Sequence, residues 1–389
     1  MKILVVSSYL PYPLFSGGNI RLYNLLKQLS DKHELTLVCE KRLNQTEEDV
    51  KEMEKICSKV ITVDRKKQWS FSNIAKAAFS KNSFLITGHT LPEMKNKIRQ
   101  ELENEKYDLI HVETFYVMQN LQETSIPIVL AEHNIEYLVY QRYVENSSWY
   151  LKPFLRLDVA KIKNFEEKCW KKATKLIVVS DEEKQLMNRK DVSVIRNGVD
   201  INNLKLENSK LTSKKPKTVL FIGEFKWIQN INAAKRILEE IWPKIYEKNK
   251  ELKLWIVGRK IPENIKNIKS ENVLFDENAP KETFEIYKRA DILLAPIQVG
   301  GGTSFKILEA MATGVAVVTT GLGAEGITNG KEVVIADSSE DLAKAVLNLA
   351  ENSALRIDLI KKARKLIEEK FDWKEIAKEL EYVYKEAIK

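Results

Sequence analysis

Three consecutive glycines, residues 300–302, stand between an apolar run and a helical pattern that begins at Ser304 and ends at Gly314. Glycine lets the backbone approach a ligand closely, and the free N–H groups and positive dipole end of a helix start favour an anion. Lys306, in the first turn, adds a positive charge, and Glu309 places a carboxylate one turn further along. The spacing predicts a phosphate cradle with a hydroxyl-binding carboxylate; a plain turn is the alternative explanation of the glycines.

A second glycine-to-helix junction follows the first apolar run of the chain. Gly17 and Gly18 come after a proline-rich loop and directly precede a helical pattern. His133 follows the apolar run 128–131, at a strand end, where loop residues act on ligands in parallel sheets. A ligand-free turn and a structural histidine are the alternatives at these positions. His111 lies inside a predicted strand, so we assign it a structural role.

Basic residues also follow predicted strands in the second half of the chain. Lys226 and Arg259 could each neutralise phosphate charge, or be ordinary solvated side chains. Residues 65–81 interleave basic and aromatic side chains, which suits a membrane interface; a surface helix packed on the core is the favoured alternative. The sequence contains no Asp-x-Asp pair and no Cys/His cluster, so no metal site is predicted.

Length and composition indicate a globular protein with more than one domain. The 389 residues exceed one ordinary core, and 44% of them are apolar. The three scattered cysteines argue against a disulfide framework and favour a reducing, cytosolic environment. The N-terminal apolar run is too short for a signal peptide, and no run is long enough for a spanning helix. A net charge of +8 permits an anionic partner without identifying one.

Short apolar runs alternate with longer amphipathic ones along the whole chain. They predict strands over residues 3–6, 35–38, 60–63, 109–112, 128–131 and 176–179, and, after a linker near Asn197-Gly198, over 219–222, 254–257, 273–275, 292–295, 315–318 and 333–336. This alternation predicts an α/β protein with two doubly wound parallel sheets that face a cleft. Ligands of such sheets bind beyond the carboxyl ends of the strands. Charged helical patterns over 339–370 and 373–388 end the chain.

Taken together, these motifs resemble the retaining glycosyltransferases of the GT-B fold, in particular glycosyltransferase family 4. The resemblance covers nearly the whole chain, and its most specific part is Lys306-Ile307-Leu308-Glu309-Ala310-Met311-Ala312 before Gly314. It implies two Rossmann-like domains, residues 1–200 on the acceptor side and 201–372 on the donor side. A C-terminal helix, residues 373–389, would cross back to the first domain.

The resemblance also implies a role for individual residues. Glu309 matches the second glutamate of the family's Glu-x7-Glu motif, which bonds the ribose of the nucleotide. Gly17 and Gly18 match glycines near the donor diphosphate and the acceptor, and His133 matches a histidine that contacts the transferred sugar. We therefore expect catalytic roles for His133, Glu309 and Lys306. The expected donor-binding residues are Gly17, Gly18, Lys226, Arg259, Gly301, Gly302, Thr303, Ser304 and Glu309.

The sequence departs from the family pattern at one important position. Gly301 stands where the first glutamate of the motif should be, so a carboxylate that would grip the sugar hydroxyls is missing. Backbone N–H groups from Gly301 to Thr303 would have to hold part of the donor. The family's usual basic pair after the first strand of the second domain is reduced here to Lys226.

The function implied is metal-independent transfer of a hexose from a nucleotide-diphosphate sugar to an acceptor hydroxyl, with retention at the anomeric carbon and without a cofactor. The expected partners are the donor and a glycan or lipid-linked acceptor, with peripheral membrane contact at the cytoplasmic face and no nucleic acid. Alternatives on the same fold are a nucleotide-sugar epimerase, a phosphorylase and a non-catalytic nucleotide-sugar-binding protein. A dinucleotide dehydrogenase is disfavoured because no Gly-x-Gly-x-x-Gly turn follows the first strand of either domain.

Overall fold

The computed structural model describes residues 1–14, 16–65, 80–145, 147–187, 189–212, 214–280, 283–298, 303–327 and 330–389. Over these residues the chain forms two compact units. The first contains Met1–Ile195 together with Ile376–Lys389, and the second contains Arg196–Glu375. None of the helices in the described ranges combines the length and the apolarity that a bilayer crossing requires.

The first unit alternates strands and helices. In chain order these are β1 (Lys2–Ser7), α1 (Gly17–Leu29), β2 (Glu34–Lys41), α2 (Glu47–Glu54), β3 (Lys59–Asp64), α3 (Phe84–Gly88), α4 (Pro92–Asn104), β4 (Leu109–Glu113), a 3-10 turn (Phe115–Asn120), β5 (Ile128–Ala131), α5 (Glu136–Glu145), α6 (Lys152–Lys172), β6 (Lys175–Val178), α7 (Asp181–Leu186) and β7 (Val192–Val194). The strands pair in parallel in the order β3-β2-β1-β4-β5-β6-β7. The central strands β4 and β5 are buried along their whole length, as expected for a parallel sheet covered on both faces.

The second unit repeats this plan. Its elements are a 3-10 turn (Asn208–Leu211), β8 (Thr218–Ile222), α8 (Ile228–Arg236), a π-helical turn (Ile237–Ile241), α9 (Trp242–Lys248), β9 (Lys253–Val257), α10 (Glu263–Lys266), β10 (Val273–Asp276), α11 (Thr283–Arg289), β11 (Ile292–Ala295), α12 (Phe305–Thr313), β12 (Ala316–Thr319), α13 (Gly321–Ala324), β13 (Val334–Ile335), α14 (Ser339–Glu351) and α15 (Ser353–Lys370). Its parallel strand order is β10-β9-β8-β11-β12-β13. The last helix, α16 (Trp373–Ile388), begins in this unit, and its residues from Ile376 onward belong to the first.

The prediction of an α/β fold with two doubly wound parallel sheets is confirmed, and each predicted strand exists within one to three residues of its expected bounds. Two details were wrong. The edge strand β7 was missed because its three residues are too few for a readable pattern. The helical pattern over 339–370 is two helices, because Asn352 ends α14 and its side chain accepts the Leu355 N–H that begins α15.

The first unit buries a group of carboxyl side chains beneath helix α5. Glu166 accepts hydrogen bonds from the backbone N–H groups of Glu136 and Tyr137, at 2.8 and 3.0 Å, and so caps that helix. Glu132 accepts from the indole N–H of Trp170 at 3.1 Å, while its second oxygen has no partner among the described residues. Burial raises the pKa of Glu166 to about 8 and that of Glu132 well above its usual range, with mutual repulsion adding to the effect at Glu132.

These raised pKa values make stability depend on pH. Because the folded pKa of Glu166 lies near 8 and its ordinary value is 4.5, its contribution is fully present below pH 4.5 and is lost as pH rises toward 8. We expect the urea midpoint of the first unit's unfolding to fall between pH 5 and pH 8. Glu132→Gln removes one of two repelling acids and should make that fall smaller. An equally steep fall in the variant would contradict this account.

Candidate functional site

The carboxyl ends of the strands carry the candidate residues of each unit. In the first unit, the turn after β1 leads into α1, whose first residues are Gly17 and Gly18. A Cβ atom on Gly18 would lie 3.1 Å from the Tyr9 hydroxyl and 3.3 Å from Cε1 of His133. A side chain at this position would therefore press against the imidazole. The structure brings Gly18 and His133 together, which neither the spacing nor the motif had established.

Helix α1 is capped differently from the expectation. Ser16 is its N-cap and accepts a hydrogen bond from the Asn19 N–H at 3.4 Å. The Asn19 side chain in turn donates to the backbone oxygens of Leu10 and Pro11, at 2.9 and 3.1 Å. One of the free N–H groups expected at this junction is therefore already used within the protein, and the close approach of Gly18 to His133 explains the glycine without a bound anion.

A buried carboxylate, Glu113 at the end of β4, organises this site. One of its oxygens accepts from His111 Nε2 at 2.9 Å, and the other makes a short hydrogen bond with His133 Nε2. The Tyr9 hydroxyl lies 3.3 Å from the oxygen that His133 contacts. Glu113 is completely buried, while the His133 side chain keeps 21% of its surface exposed. The imidazole is therefore held from its protein side and is open on the other.

Charge and proton positions at Glu113 follow from its partners. Burial alone would raise the pKa of this carboxyl, but the charge of His133 and the hydrogen bonds from both histidines outweigh burial and lower the pKa far below its usual range. The ionised carboxylate only accepts, so Nε2 of His111 and Nε2 of His133 must both donate. In a neutral His133 this leaves Nδ1, which lies beside Gly18, as an acceptor.

The network extends to the last helix of the chain. The hydroxyl of Tyr384, on α16, lies 2.9 Å from His111 Nδ1 and is buried with it. Because Nε2 of His111 donates to Glu113, Nδ1 accepts a hydrogen bond from the Tyr384 hydroxyl when the ring is neutral. A continuous hydrogen-bonded chain therefore runs from Tyr384 through His111 and Glu113 to His133. The structural role predicted for His111 is confirmed.

In the second unit, α12 begins where the sequence predicts and ends at Gly314, whose φ of +78° is a left-handed C-cap. Ser304 is the N-cap, but its side chain makes no capping hydrogen bond. The preceding Thr303 is buried, and its hydroxyl has no partner among the described residues. An uncapped helix start beside an orphaned hydroxyl is suited to an incoming anion.

Lys306 lies partly buried beside this helix start. Its ammonium donates to Asn230 Oδ1 at 2.7 Å and lies 4.9 Å from the centre of the Phe221 ring. Asn230 is itself fixed by donating to the Glu224 carbonyl at 2.9 Å. Burial lowers the pKa of Lys306 to about 8, although the nearby Glu309 opposes this. The ammonium is therefore oriented by a neutral partner and only partly charged at pH 8.

Glu309 lies one turn further along α12. It accepts from the Tyr287 hydroxyl at 3.0 Å and from the Thr283 hydroxyl at 3.4 Å. Burial raises the pKa of Glu309 to about 7, because those hydrogen bonds and the charge of Lys306 compensate only in part. Each carboxylate oxygen has acceptor capacity left, so a further hydroxyl could be bound.

The two other predicted residues that the structure describes, Lys226 and Arg259, are both exposed. Lys226 is exposed, and its ammonium lies 5.4 Å from the centre of the Trp227 ring. Arg259 is exposed directly after β9. Gly301 and Gly302, with Gly300, lie outside the described residues, as do most residues of the 65–81 segment. Within the described ranges, no group of three or more His, Cys, Asp or Glu side chains is placed to hold a metal ion.

Several residues of these clusters were missed at the sequence level. Glu113 could have been found, because it lies two positions after His111 on one strand and therefore on the same face. Asn230, Tyr287 and Thr283 lie on helices whose local pattern gives no sign of a ligand. Tyr384 is 273 residues from its partner His111, a distance over which a single sequence gives no signal.

Sequence profiles of two glycosyltransferase groups match the two halves of the chain. The profile described as Glycosyltransferase Family 4 matches residues 15–203, and that described as Glycosyl transferases group 1 matches residues 216–352. An uncharacterized 44.6 kDa protein in the cps region of Klebsiella pneumoniae is 25% identical, over 96% of this chain and 97% of its own. An uncharacterized glycosyltransferase of Methanocaldococcus jannaschii is 27% identical over 56% of this chain and 60% of its own.

Solved structures show the same fold. Sucrose-phosphate synthase from Thermosynechococcus elongatus has a TM-score of 0.71 and 16% identity, over 99% of this chain and 98% of its own. Anabaena HepE, in a complex with UDP and glucose, has a TM-score of 0.66 and 15% identity, over 99% and 100%. Both sheets, both profiles and these structures agree: the chain is a glycosyltransferase of the GT-B type, similar to glycosyltransferase family 4.

Proposed function

We propose that this glycosyltransferase transfers a hexose from a nucleotide-diphosphate sugar to an acceptor hydroxyl, with retention at the anomeric carbon and without a metal or cofactor. The observation that supports this most is the cluster at the start of α12, where the uncapped helix meets the partly buried Lys306 ammonium and the Thr303 hydroxyl, which has no partner among the described residues. Together these groups offer positive potential and hydrogen-bond donors to a diphosphate. The acceptor would be a growing glycan or a lipid-linked sugar.

Relatives support the donor and the setting. HepE is described in complexes with UDP, with UDP and glucose, and with UDP-glucose, and Staphylococcus aureus TarM in one with UDP and α-GlcNAc-glycerol. The Klebsiella relative is encoded in a cps region. We extend these properties to this chain as a nucleotide-sugar donor and a role in cell-surface polysaccharide synthesis.

In this proposal, the residues of α12 act on the leaving group. The bond between the anomeric carbon and the diphosphate oxygen breaks, and negative charge grows on that oxygen. Lys306 and the helix N–H groups stabilise this charge, and a preorganised donor of this kind is worth about 2.7–4 kcal/mol. Glu309 accepts a hydrogen bond from the ribose. Ser304, Gly301 and Gly302 would add backbone contacts, and Lys226 and Arg259 would add positive charge.

His133 acts on the transferred sugar in this proposal. The acceptor oxygen forms its bond to the anomeric carbon on the face that the diphosphate leaves, and the acceptor proton passes to the departing phosphate oxygen. The sugar carries positive charge as the bond breaks. Glu113 fixes the ring of His133, and when His133 is neutral the ionised Glu113 leaves the pair with a negative charge that would stabilise this oxocarbenium character.

The donor can be tested by thermal shift. We expect one of UDP-, GDP- or ADP-hexose to raise the melting temperature, because a ligand at a hundred times its Kd stabilises by about 2.7 kcal/mol. Glu309→Ala should abolish most of that shift, and His133→Ala should keep it while turnover falls by more than about tenfold. Turnover that survives both substitutions would disprove the site. If the donor raised the melting temperature equally in the wild type and both variants and no sugar was transferred, the result would favour a non-catalytic binding protein. Epimerised donor would favour an epimerase.

The pKa of Lys306 gives the donor affinity a pH dependence. Its ammonium is the form that attracts a diphosphate, and it loses its proton around pH 8 in the free protein. We expect the affinity for the matching nucleoside diphosphate to fall about tenfold between pH 7 and pH 9. Lys306→Met should bind more weakly at pH 7 and remove most of the fall. The same fall in both proteins would show that Lys306 does not titrate against the ligand.

We also propose that the α5–α6 hairpin contacts the membrane surface. Trp149, Tyr150 and Phe154 expose 82%, 58% and 73% of their surfaces, and Leu157 continues this row along α6 at 66%. Large exposed apolar side chains this close together in sequence are unusual for a soluble surface, and aromatic rings favour the bilayer interface. Arg156, which is also exposed, adds positive charge that suits anionic lipid headgroups.

This contact predicts binding to vesicles. The wild-type protein should co-sediment with vesicles of phosphatidylglycerol and phosphatidylcholine. Trp149→Ser with Phe154→Ser should weaken binding more than about tenfold, since burying each ring contributes about 1.5–3 kcal/mol. The matched control, Leu43→Ser with Tyr382→Ser, removes two equally exposed apolar side chains from the same unit. Equal binding by both double variants would rule out the hairpin as the contact.

A further inference from the structure

The second unit contains a basic cavity that the transfer reaction does not use. The cavity has a volume of about 260 Å³. Seven lysine and arginine side chains line it, with one carboxylate; the basic residues are Lys210, Lys214, Lys215, Lys217, Lys288, Arg289 and Arg356, and the acid is Asp291. It is smaller than the roughly 300–1,000 Å³ of pockets for drug-sized ligands, so a small ligand fits it best.

The cavity lies at the amino ends of the strands, whereas the start of α12 lies at their carboxyl ends. Lys217 comes directly before β8, and Asp291 comes directly before β11. In a parallel sheet, the residues before the strands share one edge and those after the strands share the other. Gly223 and Thr303 follow those same strands, so β8 and β11 separate the cavity from the proposed donor site by about 15 Å. The two cannot be one binding site.

Two of the cationic groups in the lining donate hydrogen bonds to backbone carbonyls. Arg356 is only 4% exposed, and its guanidinium donates to the carbonyls of Leu349 and Lys214, both at 2.7 Å. The Lys210 ammonium donates to the Ala290 carbonyl. Burial lowers the pKa of both groups, and Asp291 offsets this only in part. Their hydrogen bonds go to neutral oxygens, so their charges remain largely uncompensated.

Asp291 is the one acidic group of the lining, and it is already engaged. One of its oxygens accepts the backbone N–H groups of Lys217 and Thr218, at 2.8 and 2.9 Å. In the part of the chain that the structure describes, no carboxylate lies within 4.0 Å of any of the seven basic side chains. The lining therefore carries a formal charge of +6, from seven basic groups and one acid.

Arg289 is oriented by a stacking contact. Its guanidinium carbon lies 4.6 Å from the centre of the buried Trp255 ring. The carboxyl ends of α11 and α12 also lie at this edge, and their dipoles would oppose an anion there. Those partial charges amount to about half a unit each, far less than the charge of the lining. The balance favours a ligand with more than one negative charge.

We propose that this cavity is a second anion site, which binds a small soluble ligand carrying phosphate groups, such as a di- or polyphosphate. The buried Arg356 and the partly buried Lys210 supply fixed positive potential in its lining. Exposed side chains at its mouth, among them Lys217, Lys288 and Arg289, bind the phosphate oxygens directly. The site is independent of sugar transfer and of the identity of the donor.

Inorganic pyrophosphate is the probe that tests this site. Lys217→Glu with Lys288→Glu reverses two exposed charges whose side chains make no hydrogen bond to the residues that the structure describes, so folding should be unaffected. We expect calorimetry to show binding at least about tenfold weaker in this double variant. The matched control is Lys248→Glu with Lys269→Glu, which reverses two exposed lysines elsewhere in the same unit and should bind like the wild type.

Site-resolved acetylation separates the cavity from the donor site. Pyrophosphate should slow acetylation of Lys214, Lys217 and Lys288, read by mass spectrometry, and leave Lys248 unchanged. Protection confined to Lys306, or the same affinity in all three proteins, would overturn the proposal. If both double variants lost pyrophosphate affinity equally, the loss would come from the change in net charge alone, and the proposal would be overturned as well. So would binding to phosphatidylglycerol vesicles through these lysines without binding of pyrophosphate, which would indicate a lipid headgroup instead.

Discussion

Removing charge from water is costly, and both candidate sites are built around charged groups that the fold keeps out of water. Glu113 is completely buried, and the fold compensates it with two imidazoles, one on each oxygen. The consequence is a fixed carboxylate that dictates the tautomer of His111 and the orientation of His133. Tyr384 completes the set by satisfying the remaining nitrogen of His111. Moving His111 or Tyr384 would leave a buried polar group of this chain unpaired.

The second unit compensates its charged groups less completely. Lys306 has a neutral amide as its partner, and Glu309 has two hydroxyls. Burial therefore lowers the pKa of Lys306 and raises that of Glu309, which favours the uncharged form of each side chain. A bound anion would stabilise the charged form of Lys306, because the ligand supplies the negative partner that this ammonium lacks. The orphaned hydroxyl of Thr303 and the uncapped start of α12 leave hydrogen-bonding capacity of the same kind. These features offer a physical reason why a chain with Gly301 in place of a carboxylate could still hold a donor.

The sequence was sufficient for the fold because parallel strands buried on both faces are continuous apolar runs, such as Ile128–Ala131 and Ile292–Ala295. It was also sufficient for α12, where glycines, a helical pattern and Gly314 mark both ends. It was not sufficient for the contacts between these elements. The contacts of His133 with Glu113 and of Lys306 with Asn230 depend on how separate βα units pack. The local sequence pattern does not predict such contacts. The basic cavity could not be predicted for the same reason, since its lysines and arginines lie up to 146 residues apart in the sequence, from Lys210 to Arg356.

The stereochemistry of the product distinguishes the proposed reaction from its alternative. Retention requires the acceptor oxygen to bond to the anomeric carbon on the face that the diphosphate leaves, beside the residues of α12. With the matching donor and an accepted acceptor, proton NMR of the first product formed reports the configuration of the new glycosidic bond through the coupling of its anomeric proton. We predict the configuration of the donor. A product of the opposite configuration would contradict the account, because it would require attack from the far face and a general base placed there.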